Sequence, residues 1–177
     1  MVIHYRSLTA FLLGAWLGAA ILADVAVTQN FQAVDRFLPT VGMDASGRAS
    51  QRVLMRRNAA DENAWIFMNW ERAQFVIGAL FVLLLWKGGR AGTMALPVTI
   101  LVLGILVAEH FLLTPQIIAL GGNVDRLPQG DVQYRKFWIL HGLYSGLDIL
   151  KMLLIFGLAA HDVWTRKQGS PESAING

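Results

Sequence analysis

Four long apolar stretches, separated by polar connections, dominate the hydrophobic pattern of the chain. They cover residues 8–28, 65–86, 94–120 and 134–161. A helix needs about 20 residues to cross roughly 30 Å of hydrocarbon, because lipid offers backbone amides no partners and forces them into intrahelical hydrogen bonds. The stretches are continuously apolar and do not alternate as the strands of a membrane barrel would. The pattern therefore predicts an all-α integral membrane four-helix bundle.

The composition agrees with a membrane protein built as one domain. Hydrophobic residues make up 55% of the chain and charged residues 15%, whereas soluble domains carry about 25% charged residues. We expect a single four-span domain over residues 1–167 and a disordered tail over residues 168–177, which is rich in Ser, Gly and Pro. The chain has no cysteine, so disulfides and thiol catalysis are excluded, and any metal must be bound by His and carboxylates.

The connection between the first two stretches contains a basic segment near residues 45–58. Arg48, Arg52 and Arg56 recur every four residues and so share one helix face. This spacing predicts an interfacial amphipathic helix whose arginines bind lipid head groups, with a solvated basic helix as the alternative. Because the basic residues lie beside the spans, the net charge of +3 indicates membrane lipid as the partner and not nucleic acid. The two longer connections carry more Lys and Arg than the other side, which favours a cytoplasmic location for both.

Ionisable residues interrupt the spans, where they are expensive and usually functional. His110 and His141 each lie roughly ten residues along their spans from the membrane side that holds the two longer connections. At about 1.5 Å per residue they therefore reach a similar depth and could face each other. Glu71, Glu109 and Asp24 fall near this layer, and bundle-core metal sites are built from such convergent side chains. We expect His110 and His141 to supply imidazoles to a divalent metal, to haem b or to protons, with these three acids as anionic partners.

Tyr144, Ser145 and Asp148 follow His141 on the fourth span by three, four and seven residues, and Lys151 follows Asp148 by three, so these residues form one polar stripe. We single out Tyr144, Asp148 and Lys151. We interpret them as groups that support the site. The structural alternative is that Asp148 and Lys151 neutralise each other, that Glu71 pairs with an arginine, and that His110 only donates a hydrogen bond. The paired Glu-x-x-His motifs of di-iron bundles are missing, which disfavours an oxygen-activating centre.

Two further features concern helix packing. Small residues recur every four positions at Gly14 and Gly18 on the first span and at Gly142 and Gly146 on the fourth, which also carries Gly157. We interpret them as sites of close internal packing, with oligomerisation as the alternative. Pro115 lies inside the third stretch and predicts a kink just past His110.

The second half of the chain resembles a family of small bacterial four-span membrane proteins related to the eukaryotic transmembrane protein 205. The resemblance rests on a Leu-Thr-Pro-x-Ile exit from span three and on a Phe-x-x-x-His pattern with a later Leu in span four. The matching residues are Leu113, Thr114, Pro115, Ile117, Phe137, His141 and Leu147. The resemblance implies four spans and a multi-pass protein of the bacterial inner (cytoplasmic) membrane, and it singles out His141. It implies no reaction, because the family has no established biochemical activity.

Motifs of ordinary enzymes are missing from the sequence: it has no Gly-rich phosphate loop with Lys, no Gly-x-Ser-x-Gly elbow and no His-Glu-x-x-His helix. We therefore expect an integral membrane protein of unassigned activity whose buried His and carboxylate layer binds a metal, haem or protons. The alternative is a non-catalytic accessory or structural subunit of a larger membrane complex. In either case the partners are lipid and a second copy of the chain or a larger assembly.

Overall fold

The computed structural model describes residues 2–40, 42, 44–90 and 93–168, which are almost entirely helical. The α-helices are α1 (Val2–Phe37), α2 (Ala45–Lys87), α3 (Ala95–Ala108), α4 (Thr114–Gly121) and α5 (Val132–Gln168). A π-helical turn, Glu109–Leu113, joins α3 to α4, and short 3-10 helices lie at Leu38–Thr40 and Val124–Arg126. These described residues contain no strand. The predicted all-α bundle is confirmed.

Four helical stretches are long and apolar enough to cross a membrane, so the chain is a multi-pass integral membrane protein. They are Tyr5–Phe37, Ala45–Lys87, Ala95–Gly121 and Val132–Thr165. The chain runs up and down, so the bundle has two distinct ends. The connection end holds the α1–α2 connection and the α4–α5 connection; the terminal end holds the α2–α3 turn and the outer ends of α1 and α5. At the terminal end Arg90 Nη1 lies 2.7 Å from Asp162 Oδ1 and ties the α2–α3 turn to α5.

The structure corrects the predicted boundary between an interfacial helix and the second span, because both belong to helix α2. It is one unbroken helix of 43 residues that begins where Asp44 accepts a hydrogen bond from the Gly47 amide. No Gly or Pro interrupts residues 48–77, so nothing in the backbone favours a break. At about 1.5 Å per residue this helix is roughly twice as long as the hydrocarbon layer is thick. The basic segment is therefore the part of α2 that projects beyond the span.

Acidic side chains engage Arg52 and Arg56 of this segment. Arg52 Nη2 lies 2.7 Å from Asp35 Oδ1 on α1. Arg56 lies 3.5 Å from Asp35 and 3.2 Å from Asp125 in the α4–α5 connection. These pairs join three parts of the connection end, and binding of the arginines to lipid head groups stays a prediction. In the predicted tail, Gln168 still belongs to α5, and residues 169–177 lie outside the described part of the chain.

Close packing depends on Gly78 and not on the glycines that the sequence suggested. A Cβ on Gly78 would lie 2.5 Å from Leu103 Cδ2 and 3.3 Å from the Trp16 ring, so this glycine lets α1 and α3 approach α2. A Cβ would meet nothing within 4 Å at any of the four glycines of the predicted packing faces. The prediction of internal packing is therefore wrong for these four positions: Gly14, Gly18, Gly142 and Gly146.

The predicted disturbance at Pro115 takes the form of the π-helical turn. Proline has no amide hydrogen for the ordinary helical bond. The amide of Thr114, immediately before it, donates to the carbonyl of Glu109, five residues back. Such π turns widen a helix locally and are frequent at functional sites. This one lies where the third span carries its two ionisable residues, Glu109 and His110.

Candidate functional site

A layer of polar side chains crosses the bundle interior between the apolar core of the terminal half and the connection end. All four spans contribute to it. Glu71 and Glu109 have no exposed surface, and Lys151 is 1% exposed. We call this group the polar layer; its members are Asp24, Glu71, Gln74, Glu109, His110, Thr114, Tyr144, Asp148 and Lys151. It contains two centres, one around a buried carboxylate and one around a buried ammonium.

The Glu71 centre surrounds a single carboxylate with donors from two other spans. Thr114 Oγ1 donates to Glu71 Oε1 over 2.5 Å, and the Tyr144 hydroxyl donates to the same oxygen over 3.1 Å. His110 Nδ1 lies 2.7 Å from Glu71 Oε2, so the tautomer that carries hydrogen on Nδ1 donates to it. Both carboxylate oxygens are thus hydrogen-bonded, which is the condition for burying such a group at modest cost.

Two side chains of the third span contact Glu71, and their spacing in the sequence explains why. His110 lies within the π-helical turn and Thr114 directly follows the turn, four residues later, so their side chains project to the same side of the third span. Tyr144 reaches Glu71 from α5, held edge-on against the Phe67 ring with ring centres 5.5 Å apart. The site therefore joins α2, the π-helical turn, the start of α4 and α5 around one carboxylate.

The Lys151 centre has the opposite arrangement, a buried ammonium surrounded by acceptors. Lys151 Nζ contacts Glu109 Oε2 and lies 2.9 Å from Asp148 Oδ1. It also donates to Gln74 Oε1 over 3.4 Å. The predicted pairing of Asp148 with Lys151 is present, but Glu109 shares the same ammonium.

Polar atoms in this second centre are left unsatisfied. Glu109 Oε2 contacts the Lys151 ammonium, whereas Glu109 Oε1 has no hydrogen-bond partner among the described residues. The Gln74 amide nitrogen lacks one too, although Gln74 Oε1 accepts from Trp16 Nε1 over 3.3 Å. Buried polar atoms in native proteins are nearly always paired, and each exception calls for an explanation.

A third acid approaches this centre from α1. Asp24 is half-buried and lies within electrostatic range of both Asp148 and Lys151. Glu109 in turn lies within electrostatic range of Glu71. The two centres therefore form one electrostatic system.

Charge in the polar layer does not balance. It holds four carboxyl groups, Asp24, Glu71, Glu109 and Asp148, against one lysine and one histidine. If both bases were protonated and all four acids ionised, two negative charges would remain in the bundle interior. Arg72 does not offset them in the layer, because it follows Glu71 on α2, about 100° around the helix, and is exposed.

The structure gives the two predicted histidines different surroundings. His110 belongs to the Glu71 centre, together with the predicted partner Glu71. His141 stacks on Phe137, with ring centres 5.7 Å apart and an angle of 7° between planes, and meets Trp138 edge-on. No ring contact joins His110 to His141 among the described residues. Within the same residues, no group of three or more His and acidic side chains is placed to hold a metal ion, so the predicted metal site gains no support.

His141 instead lines a cavity of about 290 Å³ near the connection end. Thr114 and Tyr144 lie both in its wall and against Glu71, so these two members of the polar layer separate the cavity from the Glu71 carboxylate. Arg56 and Asp125, which pair with each other, form another part of the wall. The cavity and the Glu71 centre therefore share two side chains.

Three groups in or beside the layer were not among the predicted site residues. Thr114 is four residues after His110, a spacing that places it on the same side of a helix. Gln74 is three residues after Glu71 and was recognised only as part of a polar stripe. Trp16 belongs to an apolar run in which nothing distinguishes it, because its role depends on the tertiary position of Gln74.

No protein-family model matches this chain, and no curated protein or solved structure matches it significantly. The resemblance to the bacterial relatives of transmembrane protein 205 therefore stays a prediction. The four helical stretches that are long and apolar enough to cross a membrane support a multi-pass integral membrane protein.

Proposed function

We propose that the polar layer binds exchangeable protons within the membrane, and that the protein acts as a proton-binding component of the bacterial inner membrane. The observation that carries this proposal is the excess of four carboxyl groups over two basic side chains in a buried layer. Burying an unpaired ionised carboxylate costs several kcal/mol, even after the protein relaxes. Neutralising the surplus requires protons or another cation.

Protons fit this layer better than the other predicted ligands. A divalent metal needs several ligands converging on one point, and the described residues offer no such group. Bis-imidazole haem needs two facing histidines across an apolar slot, whereas His110 is engaged by Glu71 and His141 stacks on Phe137. A proton needs only one acceptor, and Glu109 Oε1 is a buried acceptor that has no hydrogen-bond partner among the described residues.

Infrared spectroscopy of the protein in lipid bilayers tests this function. We expect the C=O stretch of a protonated carboxyl at neutral pH, a shift of this band in D₂O as the proton exchanges, and its loss as the pH is raised. The Glu109→Gln variant should lose intensity in the band. The Glu62→Gln variant, altered at an exposed acid on α2, should keep it. Absence of any exchangeable carboxyl band near neutral pH would refute proton binding by the layer.

The alternative is a non-catalytic subunit of a larger membrane assembly, and the open glycine faces favour it. Glycines spaced four apart on α1 and α5 leave space into which another helix could pack. Gentle purification followed by mass measurement of the intact particle tests this alternative. A particle containing further chains, dissociated by Gly14→Leu with Gly18→Leu but not by a matched change at exposed Ala26, would support it. A monomeric particle without partners would argue against it.

A further inference from the structure

The cavity at the connection end has the size and position of a ligand site. Its volume of about 290 Å³ lies at the lower end of the roughly 300–1,000 Å³ range of small-molecule pockets. All four spans contribute to its wall, which is mostly apolar. It borders the polar layer through Thr114 and Tyr144. A ligand here would be lipophilic and would lie one side chain away from Glu71.

Six aromatic rings line this wall. They belong to α1, α2 and α5, and the set is Phe31, Phe67, Phe137, Trp138, His141 and Tyr144. The faces of Phe, Trp and Tyr rings carry partial negative charge and attract cations. One such contact is already present, because the Arg56 guanidinium lies 5.1 Å from the centre of the Phe31 ring.

The formal charges in the wall favour the same ligand class. They are those of Arg56, Asp61 and Asp125. Arg56 is shared between Asp125 and Asp35, which lies outside the wall. Among the described residues no ion pair or hydrogen bond engages Asp61. The wall therefore has one surplus carboxylate, which opposes an anionic ligand and attracts a cationic one.

We propose that this cavity binds a lipophilic organic cation, held by its aromatic wall and by the charge of Asp61. An apolar wall removes the ligand's hydrocarbon from water, while the rings and the carboxylate offset the loss of hydration of the positive charge. A neutral molecule of the same shape gains only the first of these contributions. Charge thus discriminates between ligands that fit equally well.

Binding of the cation is coupled to the polar layer, and this step rests on the proposed function. A positive charge beside Tyr144 and Thr114 raises the electrostatic potential at Glu71 and, through it, at Glu109. A layer that holds exchangeable protons then releases part of them. Cation and proton compete for the same surplus of negative charge without sharing an atom.

Tetraphenylphosphonium is a suitable probe, with triphenylphosphine oxide as its uncharged counterpart. We expect the full-length protein in mild detergent to bind the phosphonium saturably in calorimetry, and to bind the neutral compound at least about tenfold more weakly. Repeating the titration in buffers of different ionisation enthalpy measures the protons released. Equal binding of the two compounds, or no saturable binding of the phosphonium, would overturn the cavity assignment.

Matched variants locate the site. Asp61 is an exposed residue of the wall, so solvent screens its charge, and Asp61→Asn should weaken phosphonium binding about two- to fivefold. Glu62→Gln, at the next position of α2 and outside the wall, should not weaken it. Phe67→Leu should weaken it severalfold, while Phe111→Leu, altered at an exposed ring outside the wall, should not. If Asp61→Asn and Phe67→Leu both bind the phosphonium as the wild type does, the site lies elsewhere and the inference fails.

Two outcomes separate this inference from the proposed function. Phosphonium binding that depends on Asp61 but releases no proton, in a protein without the carboxyl infrared band, would uphold the cavity and refute proton binding by the layer. An intact carboxyl band without phosphonium binding would support proton binding by the layer and refute the cavity assignment.

Discussion

Glu71 and Lys151 are both buried charges near the middle of the same bundle, but their surroundings differ. Glu71 is surrounded by the hydroxyls of Thr114 and Tyr144 and the imidazole of His110. Lys151 contacts the carboxylates of Glu109 and Asp148. The first centre pairs one acid with donors that are neutral or singly charged. The second concentrates acids on a single cation.

This difference indicates which centre is structural and which one can exchange a ligand. Both oxygens of Glu71 have partners, so this centre fastens three spans together. In the Lys151 centre Glu109 Oε1 and the Gln74 amide nitrogen have no hydrogen-bond partner among the described residues, and Asp24 adds a third acid nearby. The surplus negative charge therefore resides with Lys151, and we expect the exchangeable proton to be held among Asp24, Glu109 and Asp148.

Removing the Lys151 ammonium should lower the free energy of unfolding more than any other change considered below. Lys151→Met leaves buried carboxylates without their cation, and breaking a buried pair in this way costs about 3–5 kcal/mol. We expect a corresponding loss in the free energy of unfolding, measured by denaturation in mixed micelles. Lys87→Met, at the exposed end of α2, is the control. Adding Glu109→Gln to Lys151→Met should restore part of the loss; if it restores nothing, Glu109 and Lys151 are not coupled.

Changing the carboxylate of the Glu71 centre should lower the free energy of unfolding by a smaller amount. Glu71→Gln keeps the shape but replaces one acceptor oxygen by a donor that faces another donor, and we expect a loss of about 2–3 kcal/mol. The same denaturation measurement applies, with Glu62→Gln as the control. A loss larger than that of Lys151→Met would reverse the comparison between the centres.

A larger side chain at Gly78, where α1 and α3 approach α2, should disturb the Lys151 centre indirectly. Gly78→Ala pushes on Leu103 and on Trp16, the donor to Gln74. We expect it to be about 1–2 kcal/mol less stable than Gly142→Ala, a helical glycine with open space around it. Comparing the two alanine variants cancels the gain in helix propensity. Equal stabilities would mean that the Leu103 and Trp16 side chains adjust freely.

The smallest expected effect is the loss of a single hydroxyl from the Glu71 centre. Thr114→Val removes one of the three donors to Glu71 and should cost about 1 kcal/mol. Thr99→Val is the matched control, because the buried Thr99 hydroxyl bonds the carbonyl of Ala95 on its own helix. A difference near zero between the two variants would show that Thr114 contributes no more than an intrahelical bond.

The sequence predicted the spans and much of the polar layer because both depend on local spacing. Apolar runs of sufficient length identify membrane helices, and depth counted along them brought Glu71 and His110 to one level, where they are hydrogen-bonded. Asp148 and Lys151, three residues apart on one helix, were paired for the same reason.

The wrong predictions concern side chains whose position depends on the rotation of a helix about its axis or on contacts between residues far apart in sequence. Depth counting gave His110 and His141 the same level, but it does not give the direction in which each side chain points, and His141 points to Phe137 and the cavity. The glycines of α1 and α5 have the right spacing for close packing, yet their faces point away from the other spans. The link from Trp16 to Gln74 joins residues 58 positions apart, which no local pattern indicates.

Carbon-13 NMR of the protein in bilayers, labelled at its Asp and Glu carboxyl carbons, tests the central claim most directly. The chain has only four Glu residues, so single Glu→Gln and Asp→Asn variants can assign the signals of the layer. At neutral pH we expect at least one carboxyl among Asp24, Glu109 and Asp148 to resonate as a protonated acid and to exchange as the pH is raised. If all three resonate as carboxylates at neutral pH, the Lys151 centre holds no proton, and the account is contradicted.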